Sequence, residues 1–236
     1  MPKVISKNPT LSMQGTHTVG VISDGKTLHA LLSQSAEERL ALCDLFELRL
    51  DLVDLGVGEL LRLLPELQKP ILLTLRHPAE GGQGPTDAKA RMDCILPLLP
   101  VVQFLDVEIQ FARELLPVIR QAQTLGKRVL GSAHDFAATP ALEKLRSDIA
   151  HAKELRLDMA KFATTLQTVE DLQRLMQLLS ESAPLPLAVM GMGELGRVSR
   201  LVLAKLGSVF NYGYLGAAKV KGQWPAQQLK ELISKL

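Results

Sequence analysis

Apolar positions along this chain gather into short runs of strand length. They are HTVGVIS (17–23), LFELRLD (45–51), PILLTLR (70–76), FLDVEI (104–109), RVLGSAH (128–134), MAKFAT (159–164), PLAVMGM (186–192) and VFNYGY (209–214). The segments between them carry helical spacing. Residues 35–43 open with Ser35 and carry Glu38 three positions on, the signature of a capping box. Thr139-Pro140 fits an N-cap followed by proline at the first helical position. Thr168 with Asp171 marks another helix start. Strand–helix alternation implies a parallel sheet. Eight repeats closing on themselves predict an α/β fold, a (β/α)8 TIM barrel forming a single domain over residues 17–236. A doubly wound open sheet is the structural alternative. Residues 1–16 read as a tail or small capping element.

A barrel makes a demand on the sequence, because its function collects at the C-terminal ends of the strands. The polar residues of the runs fall late in each: Glu47, Arg49 and Asp51; Arg76; Asp106 and Glu108; His134 and Asp135; Lys161. Clustering at one end of several strands points to a shared pocket. Alternation puts Asp106 and Glu108 on one face of their strand, where bonds to neighbouring strands explain them better than a metal pair.

Composition narrows the partners. The chain has 236 residues, 47% of them hydrophobic, and a formal net charge of +2. That charge is too close to neutral to suggest nucleic acid or a membrane surface. No run of about 18 apolar residues occurs, and the first sixteen residues lack the apolar region of a secretory signal. Cys43 and Cys94 lie in segments with helical patterning, without the close spacing of a metal site. They read as reduced structural thiols of a cytoplasmic protein.

Lys161 is the least expected residue, an ammonium group inside a buried strand. Burial and nearby cations disfavour the charged form. With Arg49, Arg76 and Arg200 around it, the lysine would become a Schiff-base nucleophile. A buried ion pair with an acid is the bland alternative. His134 follows small residues at a strand end, beside the strand of Lys161. An imidazole there can take and return a proton. An iminium on Lys161 would acidify the adjacent C–H, so the pair suits a dehydration that needs no metal and no organic cofactor.

In these residues the chain resembles the type I 3-dehydroquinate dehydratases. The resemblance runs from about residue 17 to the C-terminus. It rests on ELRLD (47–51), LRHPAEGG (75–82), SAHDF (132–136), AKFAT (160–164), MGELGRVSR (192–200) and GQ (222–223), in that order. It implies a (β/α)8 barrel, usually a homodimer. It also implies conversion of 3-dehydroquinate to 3-dehydroshikimate, in the shikimate pathway, by syn elimination through a lysine imine. By position, Lys161 forms the imine and His134 acts as general base and acid, with Glu80 orienting His134. Glu47, Arg49 and Arg76 line the pocket, Arg200 pairs with the substrate carboxylate, and Gln223 reaches the substrate from a closing loop.

Two positions depart from the pattern. Ile22 stands where a serine is expected near the end of the first strand. Lys219 replaces a substrate-binding serine in the closing loop and would meet the carboxylate as a point charge. Two rival readings follow: another lysine-imine enzyme such as an aldolase, or a barrel that binds a related cyclic acid without turning it over. GMGELG (191–196) matches a dinucleotide fingerprint in letters only, since no acidic residue ends the next strand. Its glycines read as a tight turn presenting Ser199 and Arg200.

Overall fold

A computed structural model describes residues 11–12, 15–181 and 183–236. The expected tail at 1–16 lies almost wholly outside them. The strands are β1 (His17–Ile22), β2 (Leu45–Arg49), β3 (Ile71–Thr74), β4 (Phe104–Glu108), β5 (Arg128–Asp135), β6 (Met159–Thr165), β7 (Leu187–Met192) and β8 (Phe210–Tyr214). The helices are α1 (Gly25–Leu32), α2 (Ala36–Leu42), α3 (Val57–Leu63), α4 (Ala88–Ile95), α5 (Leu116–Thr124), α6 (Leu142–Glu154), α7 (Val169–Ser180), α8 (Gly196–Lys205) and α9 (Ala226–Ser234).

Every strand pairs in parallel with its sequence neighbours from β1 to β7, and β8 pairs with β1. That cyclic order is a TIM barrel and excludes the doubly wound sheet. The remaining seam, β7 to β8, is closed differently. Val209 N–H donates to Leu187 O at 2.9 Å. The Ser208 hydroxyl, wholly buried, accepts from Val189 N–H at 2.9 Å. A side chain thus supplies part of the last ladder.

The strands alternate with a period of two. Phe46, Leu48, Leu73, Leu105, Val107, Val129 and Phe162 point outward into the core shared with the helices. Val19, Leu45, Leu72, Phe104, Leu130, Met159, Ala188 and Phe210 fill the barrel's lower interior. Three local details explain the helices. Ser35 and Glu38 cap α2 reciprocally, and Thr168 with Asp171 does the same for α7, both as the sequence predicts. The Thr139-Pro140 start does not form: α6 begins at Leu142, with Ala141 as its N-cap. The Thr139 hydroxyl is drawn away to Thr164 Oγ1 and Thr165 O, each at 3.0 Å, and pins the loop to β6. Cys43 also departs from its helical pattern. It follows α2 in extended backbone, fully buried, while Cys94 lies within α4. Among the described residues no helix is long and apolar enough to cross a membrane.

Candidate active site

Continuing each inward row past its apolar residue gives the site. Above Leu45, Leu72, Phe104, Leu130, Met159 and Phe210 stand Glu47, Thr74, Asp106, Ser132, Lys161 and Tyr212. One step further come Arg49, Arg76, Glu108, His134, Ala163 and Tyr214. Side chains from these two layers line a cavity of about 320 Å³ at the C-terminal end of the barrel. The cavity gathers every residue assigned to the site from sequence: Glu47, Arg49, Arg76, Glu80, His134, Lys161, Arg200, Lys219 and Gln223.

Lys161 is 3% exposed. Its Nζ lies 3.3 Å from Asp106 Oδ2, 3.5 Å from Glu47 Oε1 and 4.1 Å from the centroid of the Tyr212 ring. Its neighbours are therefore carboxylates, not the guanidiniums expected from sequence. The reason is competition for partners. Arg76 donates to Asp106 Oδ2 at 3.0 Å and Glu108 Oε1 at 2.9 Å, and Arg49 forks onto Asp51 at 2.9 and 2.8 Å. Asp106 also accepts from the Ser132 hydroxyl at 2.6 Å. Arg76, Lys161 and Ser132 hold its carboxyl below the ordinary value in spite of full burial. Asp106 and Glu108 are thus bonded to neighbouring elements, as alternation suggested, with Arg91 of α4 completing Glu108.

His134 stands on β5, one strand from Lys161. Its Nδ1 is 2.8 Å from Glu80 Oε2, and the same oxygen accepts the His134 backbone N–H at 3.0 Å. Gln110 Nε2 donates to the other oxygen at 2.7 Å. Burial pushes the Glu80 carboxyl up to about 7, against Arg76 and Gln110, which pull it down. Burial, with Arg76, Lys161 and Arg49 nearby, holds the imidazole well below its usual value. Both shifts disfavour extra charge, so the pair keeps a neutral imidazole at neutral pH. Glu80 reaches this position because the turn after β3 doubles back. His77 Nδ1 accepts from Ala79 N–H at 3.0 Å, and Gly84 N–H returns to Arg76 O at 3.1 Å.

Arg200 differs from the other arginines. It is 2% exposed and, among the described residues, donates only to the carbonyls of Gly222 (3.2 Å) and Tyr212 (2.9 Å). Burial without a carboxylate partner among the described residues lowers it to about 10, still cationic at neutral pH. A guanidinium that keeps donors beyond these two bonds is able to take an anion in a bidentate grip. The MGELGR turn presents it as the sequence implied. Gly193 takes φ +83, and Ser199 Oγ accepts Gly191 N–H at 3.2 Å while donating to Gly196 O at 2.8 Å.

The loop after β8 lines the cavity through Ala217, Lys219, Val220 and Gln223. Gln223 Oε1 accepts the backbone N–H groups of Lys219 (3.2 Å) and Val220 (3.4 Å), so its amide oxygen organises the loop. Lys219 lines the cavity from an exposed position near Asp24, whose carboxyl it helps to lower. Lys221 pairs with Glu194, and Trp224 donates to Arg197 O at 3.0 Å.

The Ile22 departure dissolves. Ile22 is fully buried and faces outward into the helical core, while Ser23 lines the cavity. Position 22 has the wrong parity for the pocket. Tyr212 went unnoticed in the sequence, although counting by two from Phe210 points it inward.

Comparisons with known proteins agree with the barrel fold. The family model described as type I 3-dehydroquinase matches residues 21–236. The bifunctional 3-dehydroquinate dehydratase/shikimate dehydrogenase of Arabidopsis thaliana is 30% identical over 97% of this chain, which spans 37% of that protein's length. The 3-dehydroquinate dehydratase of Listeria monocytogenes is 28% identical, covering 100% of this chain and 98% of its own. The crystal structure of 3-dehydroquinate dehydratase from Geobacillus kaustophilus superposes with a TM-score of 0.83 at 25% identity, covering 94% of this chain and 91% of that one.

Proposed function

The chain belongs to the type I 3-dehydroquinase family, a family of lyases, and on that premise we propose that it dehydrates 3-dehydroquinate to 3-dehydroshikimate in the shikimate pathway through an imine on Lys161. The observation that carries this reading is one cavity shared by a buried lysine, a carboxylate-held histidine and a guanidinium with no acid partner among the described residues.

The substrate carboxylate pairs with Arg200, and its ring ketone meets Lys161 Nζ. The amine adds to the carbonyl carbon and water leaves, giving an iminium. Glu47 and Asp106, both near Nζ, stabilise that cation. His134 then removes the proton on the carbon next to the iminium, and the electron pair delocalises as an enamine. The same imidazole returns the proton to the hydroxyl one carbon further on. The C–O bond breaks, the hydroxyl departs as water, and a new C=C bond forms. Taking and returning the proton from one face makes the elimination syn. Water hydrolyses the iminium and frees Lys161. Glu80 holds His134 in place through Nδ1 and leaves Nε2 to do the transfer.

The proposed chemistry uses no metal and no organic cofactor. Free Cys43 and Cys94 fit a cytoplasmic location, and a homodimer is part of the proposal, read by light scattering on the purified protein.

Incubation with 3-dehydroquinate is expected to generate an enone absorbance in the near ultraviolet. Borohydride added with substrate is expected to place the substrate's mass on Lys161, read by peptide mass spectrometry. A label on a different lysine would overturn the assignment. Folded protein that neither turns over nor traps the substrate would favour a barrel that only binds it.

A further inference from the structure

Tyr212 is a polar group that the steps above do not use. It stands in the same inward layer as Lys161, Glu47 and Asp106, is 3% exposed and lines the same cavity. Its ring lies against the lysine, with Nζ 4.1 Å from the centroid. Its hydroxyl is the anomaly. Oη is buried and has no hydrogen-bond partner among the described residues. A buried hydroxyl without a partner carries a desolvation cost that core packing does not need, since phenylalanine would fill the same space. Burial beside Glu47 and Asp106 drives the phenol well above its ordinary value. It is therefore protonated at any working pH and offers a neutral O–H donor.

We propose that Tyr212 is a further catalytic residue, whose Oη donates a hydrogen bond to the ketone oxygen of the substrate while Lys161 attacks the carbonyl carbon. The proposal rests on the lysine-imine reading and adds a group to its first step. As the C–N bond forms, the carbonyl π pair moves onto oxygen. The tyrosine O–H supports that developing charge without giving up its proton. Glu47, 3.5 Å from Nζ, takes one proton from the ammonium before the attack; the oxygen then takes a second proton from the same nitrogen and the first one back from Glu47, and leaves as water when the C=N bond closes. Glu47 and Asp106 cannot replace the tyrosine during the attack itself, because carboxylates repel a developing oxyanion. The ring's second contribution is to seat the ammonium over its face, which limits the directions open to Nζ.

Tyr212→Phe separates the two contributions, because it keeps the ring and removes the donor. Its melting temperature is expected to match or exceed that of the unaltered protein, since no hydrogen bond is lost. The rate of borohydride trapping of 3-dehydroquinate on Lys161 is expected to fall by about 10²–10³-fold, the usual loss for one oxyanion donor. The kinetic isotope effect from substrate deuterated at the abstracted position should shrink towards one as imine formation becomes limiting. A merely structural tyrosine would leave that isotope effect unchanged. Trapping at the unaltered rate in Tyr212→Phe, or a clear drop in its melting temperature, would overturn the proposal while leaving the lysine-imine reading intact. Failure of the unaltered protein to trap substrate would overturn both.

Discussion

Arg76 and Arg200 are equally buried and carry the same charge, yet the chain treats them oppositely. Arg76 faces Asp106 and Glu108, which outweigh burial and raise its hold on the proton, while Arg200 meets only carbonyls among the described residues and burial lowers it to about 10. Arg76 is tied to the barrel's acids, and Arg200 keeps donors for the substrate carboxylate of the proposed reaction. Arg200→Gln should therefore raise KM for 3-dehydroquinate by about 10- to 100-fold, the worth of charged hydrogen bonds. Lys219→Ser should raise it by no more than about fivefold, because an exposed charge is screened; unchanged steady-state KM would remove Lys219 from the binding site. His134→Ala should still trap the imine but lose about 10²–10⁴-fold in turnover. The acid–base pair also sets a pH dependence. Glu80 is raised from 4.5 to about 7, so its stabilisation is complete below 4.5 and is lost as pH rises through about 7. His134 is lowered from 6.5, so its stabilisation is present above 6.5 and is lost as pH falls below it. The two slopes oppose each other between 4.5 and 6.5. Glu80→Gln removes one slope, and its melting temperature should fall more steeply than the unaltered protein's between pH 6.5 and 5.

At the scale of elements, short turns decide where the reactive groups stand. The turn after β3 carries Glu80 beneath His134, and it closes so tightly that a Cβ on Gly82 would lie 2.0 Å from Arg76 O. Gly82→Ala should cost about 1–3 kcal/mol in urea denaturation, as overpacking does. It should also lower turnover by displacing Glu80. The closing loop has the same character, since a Cβ on Gly222 would come within 2.6 Å of Gly193 O. The strand runs were legible in the sequence to within a residue or two, because alternation and flanking helices leave few other periods. The capping boxes at Ser35 and Thr168 were legible too, being closed within four residues. The start read at Thr139 failed because its hydroxyl found Thr164 across the loop, a partner some 25 positions away that no local pattern announces.

The molecule as a whole divides along the barrel axis. Its lower interior is apolar and packs Phe104 edge-on against Phe210 at 5.5 Å, while its upper interior is charged. Stability and chemistry therefore sit in different layers. Phe104→Ala should lose about 3–5 kcal/mol of stability, as large core deletions do, while leaving KM unchanged in assays at low temperature. By itself the sequence determined the eight-fold alternation, the parity of most inward residues and the types of group that meet at the strand ends. Those follow from local periodicity and from the demand that buried polar side chains share a site. The tertiary structure alone decided who pairs with whom. It surrounded Lys161 with acids, gave Arg200 only carbonyls among the described residues, exchanged Ile22 for Ser23 in the pocket lining and brought the Tyr212 ring onto the lysine. Such pairings depend on distances between strands far apart in sequence, where several cations compete for the same few carboxylates and geometry settles the competition.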